Sequence, residues 1–230
     1  MAGSEAPAGD GRASSADLDV SPSEWDRRSL YRLLTSLVVP RPIAWVSTVG
    51  LDGVHNVAPH SYFNLVSSSP PHVALGFAGV RDTLRNIRAT REFVVNVVTV
   101  DHLDTMNATS IDAPPEIDEF QLVGATAGPS AMVAAPRLVE SPVHLECCVR
   151  HELDLGGSTM VVGEVVHVHV DSRVLRDGTA APELLQPLAR LGHVGYAPLG
   201  APLSRPRPRW ADRRVDPSPQ SPNAPHGGTS

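Results

Sequence analysis

The most constraining feature of this sequence is a pair of long β-type segments joined by two adjacent glycines. Residues 141–171 read SPVHLECCVRHELDLGGSTMVVGEVVHVHVD, and both halves contain many valines and other residues that favour strands. Gly156 and Gly157 lie near the centre, where a tight turn requires residues with a permissive backbone. The segment therefore predicts a long antiparallel hairpin.

Further β segments precede this hairpin. The sequence predicts strong strands over 43–49, 72–78 and 92–100, and a shorter return strand over 55–58 after the turn GLDG. Five or six β segments joined as hairpins, without a regular strand–helix alternation, are typical of an antiparallel barrel. The expected fold class is mainly β with short flanking helices.

The first predicted helix covers residues 21–39, where several leucines fall on one helical face. Ser21 is the expected N-cap, Pro22 suits the first helical position, and Glu24 completes a capping box. Two prolines at positions 40 and 42 end the helix.

The remaining connections contain shorter helices. Asp101 is the expected N-cap of one of them. A Pro-, Ala- and Gly-rich stretch is expected to be mostly loop, and a stretch near the end of the domain to be helical or coiled. In chain order these segments are helices over 82–91 and 101–110, the loop over 111–136, and the helical or coiled stretch over 182–192.

Composition limits the class of protein. The chain has 230 residues, of which 41% are hydrophobic and 19% charged, so one globular domain is expected. Its net charge of −6 argues against a nucleic-acid partner. Neither a signal peptide nor an apolar run of about 18 residues is visible, so we expect a soluble cytoplasmic protein without a membrane partner. The low-complexity segments 1–20 and 201–230 are expected to be disordered, which leaves 21–200 as the domain.

One candidate site is the segment GVRDTLRNI, in which a loop leads into the predicted helix 82–91. A helix start offers unpaired N–H groups and partial positive charge, which suit a phosphate. Arg81 adds a cation and Thr83 a hydroxyl group; since all 19 basic residues are arginine, no lysine is available for this role. The alternative is structural, with Asp82 as a simple N-cap and Arg81 exposed to solvent.

A second candidate is the stretch from Trp45 to Asn64. A β segment ends with Ser47 and Thr48, and small, polar and turn-forming residues follow it. Their backbone and side-chain groups suit a planar ring with polar edges, although a polar loop with only internal hydrogen bonds is the alternative. The candidate ligands within this stretch are Trp45, Val46, Ser47, Thr48, Ala58, Pro59, His60, Ser61 and Asn64.

Cysteines and histidines give weaker signals. Cys147 and Cys148 are neighbours on a predicted strand and point to opposite faces, which disfavours a disulfide between them. His167 and His169 share one face, but no third metal ligand is indicated, and surface histidines are the simpler interpretation. No metal site is predicted.

Several motifs, in order, resemble the flavin reductase-like, FMN-binding split-barrel proteins. The resemblance covers about Ser21 to Gly200. The motifs are RPIAWVST, NVAPHSYFN, SSSPP, RDTLRNI, EFVVN and MNATS, followed by ESPVHLEC, GEVVHVHVD and PLARLG.

This resemblance implies a six-stranded antiparallel split barrel with Greek-key topology, and a homodimer with FMN at its interface. It places the phosphate near Arg81, Asp82 and Thr83, and the flavin ring against the segments from Trp45 to Thr48 and from Ala58 to Asn64. Two departures are visible. Arg81 stands where the family commonly has lysine, and His60 stands where it usually has an aromatic residue.

The implied function is that of a flavin reductase using NADH or NADPH, with a flavin-dependent monooxygenase as a partner that receives reduced flavin. The cofactor carries the chemistry in such a protein, so no catalytic triad is required. Two alternatives stay open: an FMN enzyme that acts directly on a small organic substrate, and a non-enzymatic FMN-binding electron carrier.

Overall fold

The computed structural model describes residues 17–210. Residues up to Gly200 belong to one unit, and the chain from Ala201 onward belongs to a second, whose described part, 201–210, is exposed and contains no strand. Most of the two segments predicted to be disordered, 1–16 and 211–230, lies outside the described residues.

The described chain is mainly β, as predicted. Its α-helices are α1 (Arg27–Leu37), α2 (Asp82–Thr90), α3 (Leu103–Ala108), α4 (Glu119–Val123) and α5 (Pro182–Leu185), with 3-10 turns at Pro22–Glu24, Val100–His102 and Ser172–Val174. Its longer strands are β2 (Ala44–Val49), β3 (His55–His60), β4 (Phe63–Ser68), β5 (Pro71–Phe77), β6 (Glu92–Val97), β9 (Val143–Asp154) and β10 (Thr159–Val170). Its short strands are β1 (Arg41–Pro42), β7 (Ala127–Gly128), β8 (Arg137–Leu138), β11 (Leu175–Arg176), β12 (Thr179–Ala180), β13 (Leu188–Arg190) and β14 (Tyr196–Pro198).

The main sheet has seven antiparallel strands in the order β3-β2-β6-β9-β10-β5-β4. The expectation of six strands is therefore too low by one. The additional strand is β4, which begins at the end of the stretch from Trp45 to Asn64 and for which no strand was predicted. It pairs with β5, placing Phe63 opposite Leu75.

Two apolar clusters surround strand β2, because alternate side chains of a strand point to opposite faces. Val46 packs with Leu84 and Ile87 of α2 in the first cluster. Trp45 packs with Met106 of α3 and with residues of α4 in the second. Strand β2 is thus covered on both faces, which fixes the register of the neighbouring strand β3.

The predicted hairpin over 141–171 is confirmed as β9 and β10, with Gly156 and Gly157 both at positive φ in the turn. Cys147 is buried, whereas the neighbouring Cys148 is partly exposed, and both are free thiols. Burial raises the pKa of the Cys147 thiol beyond its ordinary value.

The predicted start of the first helix is wrong. Ser21 precedes only the 3-10 turn Pro22–Glu24 and makes no side-chain cap hydrogen bond. Trp25 is extended, and Asp26 caps α1 by accepting hydrogen bonds from the Arg28 and Ser29 N–H groups at 2.9 and 3.0 Å. An ionised carboxylate is a strong N-cap, and here it begins the helix one turn later than expected.

Two other local predictions need correction. Asp101 lies inside a 3-10 turn, and His102 occupies the N-cap position of α3. The segment 111–136 is mostly loop, as predicted, although it contains the short helix α4 and strand β7. The stretch over 182–192 is helical only as far as Leu185, because Gln186 has a left-handed backbone with φ of 46° and the chain then enters strand β13.

Candidate functional site

The pairing of β2 with β3 places several of the candidate residues on one face. Thr48 lies opposite Asn56, Val46 opposite Ala58, and Ala44 opposite His60. Side chains directly opposite each other in an antiparallel pair share a face. The polar members of this face therefore meet near the start of α2.

Three of the predicted ligands on β2 have side chains that the fold itself uses. Trp45 is buried, and its Nε1 donates to Thr109 Oγ1 at 2.9 Å. Ser47 is also buried, and its hydroxyl donates to the Pro136 carbonyl at 2.5 Å. Val46 belongs to the first apolar cluster. Any role of these three residues toward a ligand must go through the main chain.

Asn56 is the centre of a buried hydrogen-bond network. Its Oδ1 accepts from the hydroxyls of Thr83 and Thr48, at 2.9 and 3.2 Å. Thr48 in turn accepts from Asn86 Nδ2 of α2 at 3.1 Å. The network ties the start of α2 to strands β2 and β3, and it brings together two residues that the sequence placed in separate motifs.

Glu119 holds the other side of Asn56. Its Oε2 accepts from Asn56 Nδ2 at 3.0 Å and from the Val57 N–H at 3.3 Å. Both residues belong to β3, the strand at one edge of the main sheet. The side chain is almost fully buried, and this burial raises the pKa of its carboxyl group. Glu119 was not among the residues predicted from the sequence, although Asp118 before it has the N-cap signal of a short helix.

His60 joins this network from the end of β3. Its Nε2 lies 3.4 Å from Thr83 Oγ1, and its ring meets the Phe77 ring edge-on with 4.8 Å between centroids. The residue as a whole is partly exposed, but its ring is densely surrounded by protein, and this burial lowers the pKa of His60 to about 4. His60 is therefore a neutral imidazole near pH 7.

The start of α2 lies beside this network. Arg81 occupies the N-cap position but makes no side-chain cap hydrogen bond, so the first-turn N–H groups have no side-chain acceptor from their cap. The Arg81 guanidinium is exposed and pairs with Asp112. Asp82 pairs with Arg85 instead of capping the helix, so the structural alternative for Asp82 is wrong.

This donor set fits a phosphate monoester. A helix of nine residues with an uncapped first turn presents N–H donors, and Arg81 supplies a permanent cation beside them. The Thr83 hydroxyl is different, because it donates inward to Asn56 and cannot also donate to an anion. Thr83 thus holds the helix start in place instead of serving as a phosphate donor through its hydroxyl.

Ser61 and Asn64 lie at a second place, around the turn between β3 and β4. Both line a cavity of about 340 Å³, which Arg41 also borders. Arg41 is buried and donates to the carbonyls of Thr35 and Val38, each at 2.7 Å, while Ser61 Oγ accepts from its Nε at 3.5 Å. This anchoring role of Arg41 was not predicted from the sequence.

A larger cavity of about 550 Å³ adjoins the same arginine, and its lining is almost entirely apolar. Phe63, Val98 and Leu188 are among the lining residues, so β4, the chain after β6 and β13 all contribute to it. Its size and character suit a planar aromatic or other apolar ligand.

The described residues contain neither a candidate metal cluster nor a helix that could span a membrane. Within residues 17–210, no three His, Cys, Asp or Glu side chains group in a way that could hold a metal ion. His167 and His169 are both exposed on β10. None of the helices in this part of the chain is long and apolar enough to cross a membrane.

Known proteins resemble this chain in sequence and in structure. An uncharacterised protein of Halalkalibacterium halodurans is 35% identical over 208 residues, which cover 86% of this chain and all of that protein. Nitrilotriacetate monooxygenase component B from Bacillus cereus superposes with a TM-score of 0.80 at 32% identity, over 84% of this chain and all of that one. The 2-nitrobenzoate 2-nitroreductase of Pseudomonas fluorescens gives 0.77 at 29% identity, over 84% and 98% of the two chains.

The family comparison covers most of the domain. Residues 36–188 match the model described as the flavin reductase like domain. The matched range includes strands β2 to β10, the start of α2 and Glu119.

Proposed function

Because the chain belongs to the flavin reductase-like domain family, we propose that it binds FMN and acts as a flavin reductase that uses NADH or NADPH. Bound FMN would supply the site with an acceptor for the hydride of the reduced nicotinamide. We place this function in residues 21–200.

The observation that carries the proposal is the start of α2. An uncapped first turn with Arg81 beside it is a site for a terminal phosphate, which FMN has and riboflavin lacks. Asp82 is paired with Arg85, and the exposed Arg81 is paired with Asp112, which a phosphate would replace as the anion beside Arg81. Thr83 and Thr48 fix the geometry of this site through Asn56.

The ring of the flavin is assigned to the adjoining surface. Ala58, Pro59, His60 and Ser61 would line it, together with Asn64 and with main-chain groups of the segment from Trp45 to Thr48. Ala58 is small enough to let a planar ring approach the strand, and Pro59 removes an N–H group that would otherwise need a partner. His60 supplies a neutral polar edge.

A partner follows from the similarity to nitrilotriacetate monooxygenase component B. We infer that reduced flavin formed on this protein is delivered to a separate flavin-dependent monooxygenase. We further infer a homodimer, because exposed apolar side chains of α1 and of the edge strand β4 otherwise face solvent; they include Tyr31, Leu34, Leu37, Leu65 and Val66.

A second candidate function has its own support. The similarity to 2-nitrobenzoate 2-nitroreductase favours direct reduction of a small aromatic substrate by a permanently bound flavin. The apolar cavity of about 550 Å³ would receive such a substrate.

Rapid mixing of the FMN-loaded protein with NADH or NADPH, without oxygen, tests the reductase. We expect the flavin absorbance to bleach much faster than that of free FMN with at least one nucleotide. Release of the reduced flavin to a second protein then supports the reductase, whereas turnover of a nitroaromatic compound without flavin release supports the second candidate. Absence of bleaching with both nucleotides contradicts the NAD(P)H-dependent reductase.

A further inference from the structure

In the buried network at the start of α2, the donor and the acceptor of each hydrogen bond can be assigned. The Val57 N–H is a backbone group and can only donate, so Glu119 Oε2 must accept. The same oxygen accepts from Asn56 Nδ2 at 3.0 Å, so Asn56 turns its NH₂ group toward Glu119. This orientation holds for the carboxylate and for a carboxylic acid that carries its proton on the other oxygen.

The assignment of donors and acceptors extends to His60. Since Asn56 presents Oδ1 to Thr83, the Thr83 hydroxyl donates to it, and the Thr83 oxygen is left as an acceptor. His60 Nε2 is the group that faces this oxygen, at 3.4 Å, and so carries the ring proton. The neutral state is consistent with the low pKa of the buried ring.

The other ring nitrogen, Nδ1, is then an acceptor with some accessible surface. Among residues 17–210, His60 Nδ1 has no hydrogen-bond partner. No fully buried side-chain nitrogen or oxygen in that part of the chain lacks a partner, so Nδ1 must reach accessible space. Oxidised isoalloxazine has a single N–H donor, at N3, and its other polar ring atoms are acceptors.

We propose that the chain of hydrogen bonds from Glu119 through Asn56 and Thr83 holds His60 as the Nε2–H tautomer, so that Nδ1 accepts the N3–H of bound flavin. His60 is then a ligand of the ring edge, and Glu119 and Thr83 are positioning residues. The inference rests on the proposed flavin site, and it concerns a residue at which this chain departs from the aromatic residue usual in its family.

The tautomer is tested without any ligand. Protein labelled with ¹⁵N-histidine has ten labelled side chains, and the signals lost in His60→Phe identify His60. We expect the Nε2–H pattern in the wild type and in Thr83→Ser, which keeps the hydroxyl group. Thr83→Val should give a mixture of tautomers. An Nδ1–H pattern in the wild type, or no change in Thr83→Val, would overturn the proposed chain.

The contact with flavin is tested with N3-methyl-FMN, which lacks the N3–H donor. We expect the wild type to bind it about tenfold more weakly than FMN, and His60→Phe to bind the two within about twofold, since one hydrogen bond contributes on this scale. Thr83→Val should approach His60→Phe, and Thr83→Ser the wild type. Equal losses in the wild type and His60→Phe overturn only this inference, whereas failure of the wild type to bind either FMN or riboflavin contradicts the proposed function itself.

Discussion

Arg81 and Arg88 are both exposed arginines with a surface ion pair, but they lie at opposite ends of α2. Arg88 can therefore serve as a matched control for Arg81. Arg81 lies at the uncapped helix start and pairs with Asp112 on the surface, whereas Arg88 lies near the other end and pairs with Glu152. Surface ion pairs contribute little to stability, so neither arginine is needed for folding. A specific role of Arg81 should therefore show in ligand binding alone.

Arg81→Ala should weaken FMN binding by about ten- to a hundredfold, because one charge-assisted hydrogen bond contributes roughly 1.5–3 kcal/mol. Riboflavin binding should barely change, since riboflavin has no phosphate. Fluorescence titration with both flavins measures this, and Arg88→Ala is the control for the loss of a positive charge. A parallel loss of affinity for FMN and riboflavin in Arg81→Ala would show that the residue acts on folding.

His144 gives a prediction for pH. The residue is buried, its ring donates to Asn96 Oδ1 at 2.9 Å, and burial lowers its pKa to about 4. In the unfolded chain its pKa is about 6.5, so the unfolded state takes up the proton first and the free energy of unfolding falls as the pH drops from about 6.5 toward 4.

The size of this effect follows from the same pKa values. Between about pH 7.5 and about pH 5, His144 should account for a loss of roughly 2 kcal/mol. Urea unfolding of the wild type and of His144→Asn at both pH values isolates this contribution from that of His60, since both proteins keep His60. Equal pH slopes for the two proteins would contradict the assignment.

At the scale of single residues, the sequence indicated where a candidate site lies but not the role of each side chain. The motif containing Arg81 and Thr83 has a local signature, a loop that delivers a cation to a helix start, and its role toward a phosphate stays a prediction. The Thr83 hydroxyl, which was expected to face the phosphate, donates to Asn56 instead. The role of Glu119 could not be read, because it depends on a short helix 63 residues away from Asn56 in the chain. Trp45 and Ser47 were read as ligands because a strand pattern does not tell which of its two faces is covered by other elements.

At the scale of elements, strong strands were predictable and edge elements were not. Strands β9 and β10 have both a valine-rich pattern and a Gly-Gly turn. Strand β4 was missed because it is an edge strand with mostly exposed residues, and its pairing with β5 is what orders it. Strand β13 was missed because the leucines of the stretch 182–192 fit a helical spacing. In the fold, the Leu188 N–H instead donates to the Val98 carbonyl at 2.9 Å.

The close packing of strand β10 against Phe93 and Cys147 can be tested at Gly163. A Cβ added to Gly163 would lie 2.4 Å from Cζ of the buried Phe93 and 3.3 Å from Cβ of Cys147. Gly163→Ala should therefore lower the free energy of unfolding by about 1–3 kcal/mol through overpacking. Gly200→Ala, where nothing lies within 4 Å, is the control and should stay within about 0.5 kcal/mol of the wild type. An unchanged free energy of unfolding for Gly163→Ala in urea would contradict the close contact between Gly163 and the Phe93 ring.

At the scale of the whole molecule, the proposed homodimer makes a prediction for the exposed edge strand. Leu65 is 60% exposed on β4, and Leu51 is 85% exposed in the turn between β2 and β3. Sedimentation at micromolar concentration should show a dimer for the wild type and for Leu51→Glu. Leu65→Glu should shift the protein toward monomer and weaken FMN binding, because a buried unpaired carboxylate opposes association. A monomeric wild type that still binds FMN tightly would contradict the shared site.

The central claim is that this fold holds FMN by its phosphate at the start of α2. Titration of the purified protein with FMN and with riboflavin under the same conditions tests it most directly. The account predicts one FMN per chain and an affinity for FMN at least about tenfold higher than for riboflavin. Equal affinities for the two flavins, or no binding of either, would contradict it.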